Sequence, residues 1–178
     1  MSGVRRATVE DARAIAAVHV RSWQVAYRGA FPDGFLDGLA SSIEDRTRWR
    51  ISLLESPPDR ATTLVIEANG TVAGFVDTSP TRDRDLDQAS FGEVVAIYLD
   101  PVYWGQGLGR RLMAAAEEQM FADGFSESML WVLRSNHRAR RFYELAGWSH
   151  DGSSKSDLFA GHQVDEVRYR KSLSETRP

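Results

Sequence analysis

The chain has 178 residues, 26% of them charged and 42% apolar, with a formal net charge of −3 and no cysteine. That length suits one α/β unit able to bury roughly 70% of its unfolded surface without a metal or disulfide staple. The missing thiols exclude disulfides, thiolate metal sites and a cysteine nucleophile, and the slight negative charge argues against a sequence-independent nucleic-acid binder. No apolar run approaches the ~20 residues that span a bilayer, and MSGVRRATVEDARAIAAV lacks the apolar core of a signal peptide, so a cytoplasmic location is expected.

In chain order, Gly3–Ala7 reads as a short strand. Thr8 with Asp11 three residues on marks a helix start, and Ala12, Ile15, Ala16, Val18 and Trp23 supply an apolar stripe to about Trp23. Gly29 to Gly34 breaks that helix. A short second helix follows, then a third helical piece over Ser42–Glu55, stopped by Pro57-Pro58. The period changes at Thr62–Ala68 and Thr71–Thr78, two β-branched runs joined by Asn69-Gly70, a two-residue hairpin signal. A polar loop over Ser79–Gln88 leads to a strand, Phe91–Leu99, that carries one acid, Glu93. Then come a helix over Leu108–Phe121, a strand over Ser128–Leu133, a helix over Asn136–Ala146 stopped by Gly147, and a last strand over Val164–Lys171. The alternation in the second half calls for crossover units, and the hairpin rules out an all-parallel sheet.

Two segments carry chemistry. Gly105-Gln106-Gly107-Leu108-Gly109-Arg110 joins a strand to a helix. Alternate glycines let backbone N–H groups approach a ligand at the positive end of a helix, which suits a phosphate or pyrophosphate. The spacing is not that of the dinucleotide fingerprint, whose third glycine would fall on Arg110, and no lysine completes an ATP loop. A plain helix-capping turn would use the same residues. Downstream, Asn136 stands at a cap position, and Ala139, Phe142, Tyr143 and Ala146 share one helix face. That spacing buries Tyr143 with a hydroxyl that needs a partner, as in any core tyrosine.

Together these segments resemble the GNAT N-acetyltransferase superfamily. Trp104 to Gly109 is similar to its pyrophosphate loop, with Trp104 where Gln or Arg is usual. Asn136 to Trp148 is similar to its N-x-x-A-x-x-F-Y-E-x-x-G-F/W helix. The resemblance covers roughly residues 91–148. It implies a mixed α/β (α+β) fold: a mostly antiparallel sheet of six to seven strands, helices on both faces, and a central strand pair splayed at a bulge. The whole chain would form a single domain, with a cofactor-binding core at about 91–148 and acceptor-side helices at about 9–55.

The implied cosubstrate is acetyl-coenzyme A, with no metal. Its pantetheine arm would pair with the backbone of Ile97, Tyr98 and Leu99, because an unpaired strand edge needs hydrogen-bond partners. Its pyrophosphate would meet the loop from Gly105 through Gln106, Gly107, Leu108 and Gly109 to Arg110. Asn136 would bond to the arm, and Ala139 and Phe142 would pack on it. Glu93, in a run that resembles the histone-acetylating branch, would take the amine's proton, and Tyr143 would protonate the departing thiolate. Tyr27 and Arg28 would face the acceptor; the aromatics Trp23, Tyr27 and Phe31 of this segment would either wall an amine pocket or pack in the core, and core packing is the simpler reading of Trp23. The acceptor would be a small-molecule, polyamine, antibiotic or peptide amine, and a homodimer would fit the family. A non-catalytic acetyl-coenzyme-A sensor would use the same cleft. The acids Asp83, Asp85 and Asp87 have the opening spacing of a calcium loop but lack its glycine and final glutamate.

Overall fold

The computed structural model describes residues 3–174. Seven strands form one sheet in the order β1-β2-β3-β4-β5-β7-β6: β1 Val4–Arg6, β2 Thr62–Ala68, β3 Thr71–Pro80, β4 Phe91–Leu99, β5 Glu127–Leu133, β6 Ser149–Phe159 and β7 His162–Ser172. Only β4 and β5 run parallel. The helices are α1 Ala12–Ala26, α2 Asp33–Gly38, α3 Ile43–Glu55, α4 Leu108–Ala122 and α5 His137–Leu145. No helix among the described residues is long and apolar enough to cross a membrane.

Local chemistry accounts for the element boundaries. The Asp11 carboxylate accepts the Thr8 backbone N–H at 2.8 Å, fixing the 3-10 turn that leads into α1. Asn69 and Gly70 both adopt left-handed φ (53° and 75°), as the tight turn of the β2–β3 hairpin requires. Two helix layers cover the sheet. On one face, Leu112, Met113, Ala116 and Met120 of α4 pack on Val76, Val94 and Leu130. On the other, Ile15 and Val18 of α1 pack on Val65 and Phe75.

β6 was not expected. Its sequence, SHDGSSKSDLF, has no apolar alternation, and nearly every residue of the strand is exposed. Backbone pairing to β7 holds it, from Ser149↔Arg170 to Phe159↔His162 with an irregularity after His150. A strand without a buried face leaves no period-2 signal.

The feature that makes a site is the parting of β4 from β5. The two pair only over Phe91–Glu93 with Glu127–Met129. One residue later the register of β4 on β3 slips, with Asp77 opposite Ala96 and Thr78 opposite Val94, leaving Val95 as a bulge. A bulge increases twist and bends the strand that carries it, and beyond it β4 turns away and exposes one backbone edge.

Candidate active site

The gap between the splayed strands opens into a cleft of about 600 Å³, framed by β4, β5, the glycine loop, α5, α1 and the tip of the β6–β7 hairpin. Three parts of it have distinct chemistry.

The first is the start of α4. Gly105 and Gly107 both have φ of 78°, and a Cβ on either would meet nothing within 4 Å. Gly107 is the N-cap in the left-handed region and no side chain caps the helix. The leading N–H groups of α4 therefore stay open at the cleft, where Gly105, Gly107, Leu108, Gly109 and Arg110 are lining residues. Such an end carries about half a positive charge and favours an anion. The Arg138 guanidinium stacks 3.6 Å over the Trp104 ring, and both line the same end of the cleft. Trp104 thus brings a cation from α5 to the place where its own position lacks one. Gln106 lies outside the lining: its side-chain amide donates to the Val102 carbonyl at 3.1 Å.

The second part is the β4 edge with α5. Ile97, Tyr98, Leu99, Asn136, Ala139, Phe142 and Tyr143 all line the cleft. Two of these residues also make bonds within the protein. The Leu99 carbonyl is already an acceptor for Ser22 Oγ at 2.5 Å and Trp104 Nε1 at 3.0 Å, so it is committed to holding α1 and the loop together. Asn136 Oδ1 accepts the Ala139 N–H at 3.0 Å, so this oxygen caps α5. Tyr143 is buried, and burial, followed by the neighbouring Tyr98, pushes its phenol well above the usual range. It is fully protonated at neutral pH.

The third part is an aromatic chamber. Trp23 and Phe31, from α1 and the turn after it, meet Phe159 of the hairpin tip, and Tyr27 joins them, with the Trp23 ring 4.7 Å from Tyr27 and 5.2 Å from Phe159. The Tyr27 hydroxyl lies 3.4 Å from that of Tyr98. Burial, then Tyr98, pushes Tyr27 well above the ordinary tyrosine range. Behind Tyr98 stacks the His19 ring at 4.8 Å, kept neutral because burial, then Arg46 and Arg50, push its pKa down to about 3. Trp23 packs on the core cluster of Val20, Phe31, Leu36 and Leu39 and also forms a wall of the cleft.

Glu93 and Arg28 are placed differently from expectation. On β4 the flanking Gly92 and Val94 face α4, so Glu93 points to the α1 side of the sheet. It is 3% exposed, and its carboxylate accepts hydrogen bonds from Arg82: the backbone N–H at 3.2 Å, Nε at 3.1 Å and Nη2 at 2.6 Å. It does not line the cleft. The cause is the chain after β3, which folds back with Thr81 N–H on the Phe91 carbonyl and brings Arg82 alongside. Arg28 turns outward to Asp33 and Asp37, likewise outside the cleft. The acids of the Asp83–Asp87 loop also have a protein partner: Asp83 and Asp85, with Asp151, converge on Arg168.

Trp131, Leu133, Glu166 and the Asp157–Phe159 tip also line the cleft, and the sequence does not mark them. The first three lie in strands whose inward positions were legible, but nothing in a strand pattern marks which inward residues meet a gap. The tip belongs to β6.

Residues 20–148, more than half of the chain, match the acetyltransferase (GNAT) family. The chain belongs to the GNAT acetyltransferase family. It is 33% identical over 136 residues to the uncharacterized N-acetyltransferase YuaI of Bacillus subtilis, covering 76% of this chain and 74% of that protein. Its fold is similar to the PaiA N-acetyltransferase of Thermoplasma acidophilum solved in complex with coenzyme A: TM-score 0.75, 22% identity, 97% of this chain and 99% of that one covered. It is also similar to the acetyltransferase YncA of Salmonella typhimurium solved with acetyl-CoA: TM-score 0.72, 20% identity, 100% and 97% covered. The splayed pair, the open helix and the Tyr143 helix are thus parts of a GNAT N-acetyltransferase.

Proposed function

We propose that this N-acetyltransferase moves an acetyl group from acetyl-coenzyme A to a primary amine by direct attack in a ternary complex. The observation that carries the reading is that one cleft holds three things: the uncapped start of α4, an unpaired β4 edge and the protonated Tyr143. These residues fit the cosubstrate. The α4 N–H groups, Arg110 and Arg138 suit its pyrophosphate, and the edge at Ile97 and Tyr98 suits an amide-bearing arm that adds like a strand. Residues 91–148 then serve the cosubstrate, and the acceptor enters from the α1 side.

Bound acetyl-coenzyme A supplies the thioester carbonyl that the amine attacks. As the new C–N bond forms and the C–S bond breaks, the amine must lose a proton and the sulfur must gain one. Tyr143 is the donor to sulfur: it is a neutral acid in the cleft, on the helix that packs beside β4. The amine's proton leaves through cleft water. Glu93 receives it only when Arg82 releases the carboxylate, whose two oxygens are otherwise engaged by that arginine in three hydrogen bonds.

The test is amine-dependent release of free thiol from acetyl-coenzyme A across an amine panel. Release that requires both protein and amine supports transfer. Tight coenzyme A binding without release from any amine would instead support the sensor reading.

A further inference from the structure

We infer that the acceptor is an amine carried on an aromatic or bulky apolar body, seated in the chamber between α1 and the β6–β7 tip with Glu166 as the counter-ion of its ammonium. This rests on the acetyl-transfer reading and adds the substrate class.

The walls set the body. Trp23 and Phe31 meet Phe159 at ring-centroid distances of 5.2 and 5.8 Å, Tyr27 meets Trp23 at 4.7 Å, and all four rings line the cleft in edge and tilted geometries. Aromatic faces attract both apolar groups and cations. Leu158, beside Phe159, lines the same cleft and is 72% exposed.

Charge sets the head group. The charged residues lining the cleft divide by sign. Arg110 and Arg138 belong to the glycine loop and the start of α5, where a phosphate would sit. Glu166 and Asp157 belong to β7 and β6, on the acceptor side. Glu166 is partly buried, opposite Leu133 of β5, and its ion pair with the half-exposed Lys155 is a loose one at 3.3 Å. Burial is the main cause that holds Tyr27 and Tyr98 protonated, and the Glu166 charge acts on both in the same direction. An ammonium entering there meets a carboxylate and ring faces. An acceptor with a carboxylate next to its amine would meet two like charges, with no lining cation on that side. A polyamine would need more counter-ions than the two present.

The experiment compares 2-phenylethylamine, phenylalanine and spermidine on the full chain. One arm measures thiol release. The other measures binding of each amine, with coenzyme A present, by quenching of tryptophan fluorescence and by calorimetry, neither of which needs turnover. The expected result is a kcat/KM for 2-phenylethylamine at least tenfold above the other two. Glu166→Gln should raise KM and Kd for that amine at least tenfold while leaving coenzyme A affinity and the melting temperature unchanged. Phe159→Ala, which removes the tip's ring contacts with Trp23 and Phe31, should weaken the same amine's binding. Preference for phenylalanine or spermidine, or an unchanged Kd in Glu166→Gln, would overturn the inference. Glu166-dependent binding of 2-phenylethylamine without thiol release would support the chamber and count against the acetyl-transfer reading instead.

Discussion

Gly107→Ala separates backbone strain from ligand binding. Gly107 has φ of 78° and an added methyl would touch nothing within 4 Å, so in the free protein the substitution costs only the left-handed strain, about 1–2 kcal/mol. For a chain of this length that lowers the melting temperature by about 2–8 °C. The same empty space borders the open N-terminus of α4, where a pyrophosphate oxygen would approach the N–H groups. Losing one charge-assisted hydrogen bond costs about 1.5–3 kcal/mol, which is about ten- to a hundredfold in Kd. Gly124→Ala is the control. Gly124 has φ of 88°, stands after the far end of α4 and does not line the cleft, so it should lose similar stability and keep the affinity. Calorimetry with coenzyme A and thermal melts give both numbers. Equal affinity in the two variants would refute the assignment of the α4 N-terminus as the phosphate site.

Three further outcomes are expected. Tyr143→Phe keeps the ring packing on Phe142 and loses the proton donor, so steady-state assays should show kcat down by about 10²–10⁴-fold with coenzyme A Kd unchanged; unaltered kcat would remove Tyr143 from the mechanism. His19 has a folded pKa of about 3 against about 6.5 when unfolded, so the unfolded chain binds this proton first. Its contribution to stability is complete above pH 6.5 and falls as pH drops toward 3, with about 2 kcal/mol gone by pH 5. His19→Phe should flatten that part of a denaturant-measured stability–pH curve. Arg50 is buried and paired with Asp77 at 2.7 Å, so Arg50→Met should cost about 3–5 kcal/mol by stranding the carboxylate, and adding Asp77→Asn should recover part of it in the same chemical melts.

The resemblance to an acetyltransferase was legible because its parts are local. A strand-to-helix turn with left-handed positions needs glycine, and a helix with one buried face must repeat Ala139, Phe142, Tyr143 and Ala146 at helical spacing. Such requirements involve neighbours in the chain, so residue order alone displays them. Glu93 shows the boundary. Its strand could be read from FGEVV, but which way it faces could not, and its partner Arg82 arrives from a loop whose path depends on how β3 ends. Trp23 has the same apolar signature whether it meets a core or a gap, and Arg28 is equally polar facing an acceptor or Asp33.

The sequence by itself therefore determined the element order apart from β6, the glycine turn that starts α4 and the buried position of Tyr143. Only the tertiary structure decided that β4 parts from β5 after Glu93, that Arg82 occupies that glutamate, and that Glu166 and an exposed, patternless strand complete the acceptor side. The reason is physical: capping, turn strain and amphipathic burial act over a few residues, whereas ion pairing across strands and the walls of a cleft bring together groups that the chain keeps far apart.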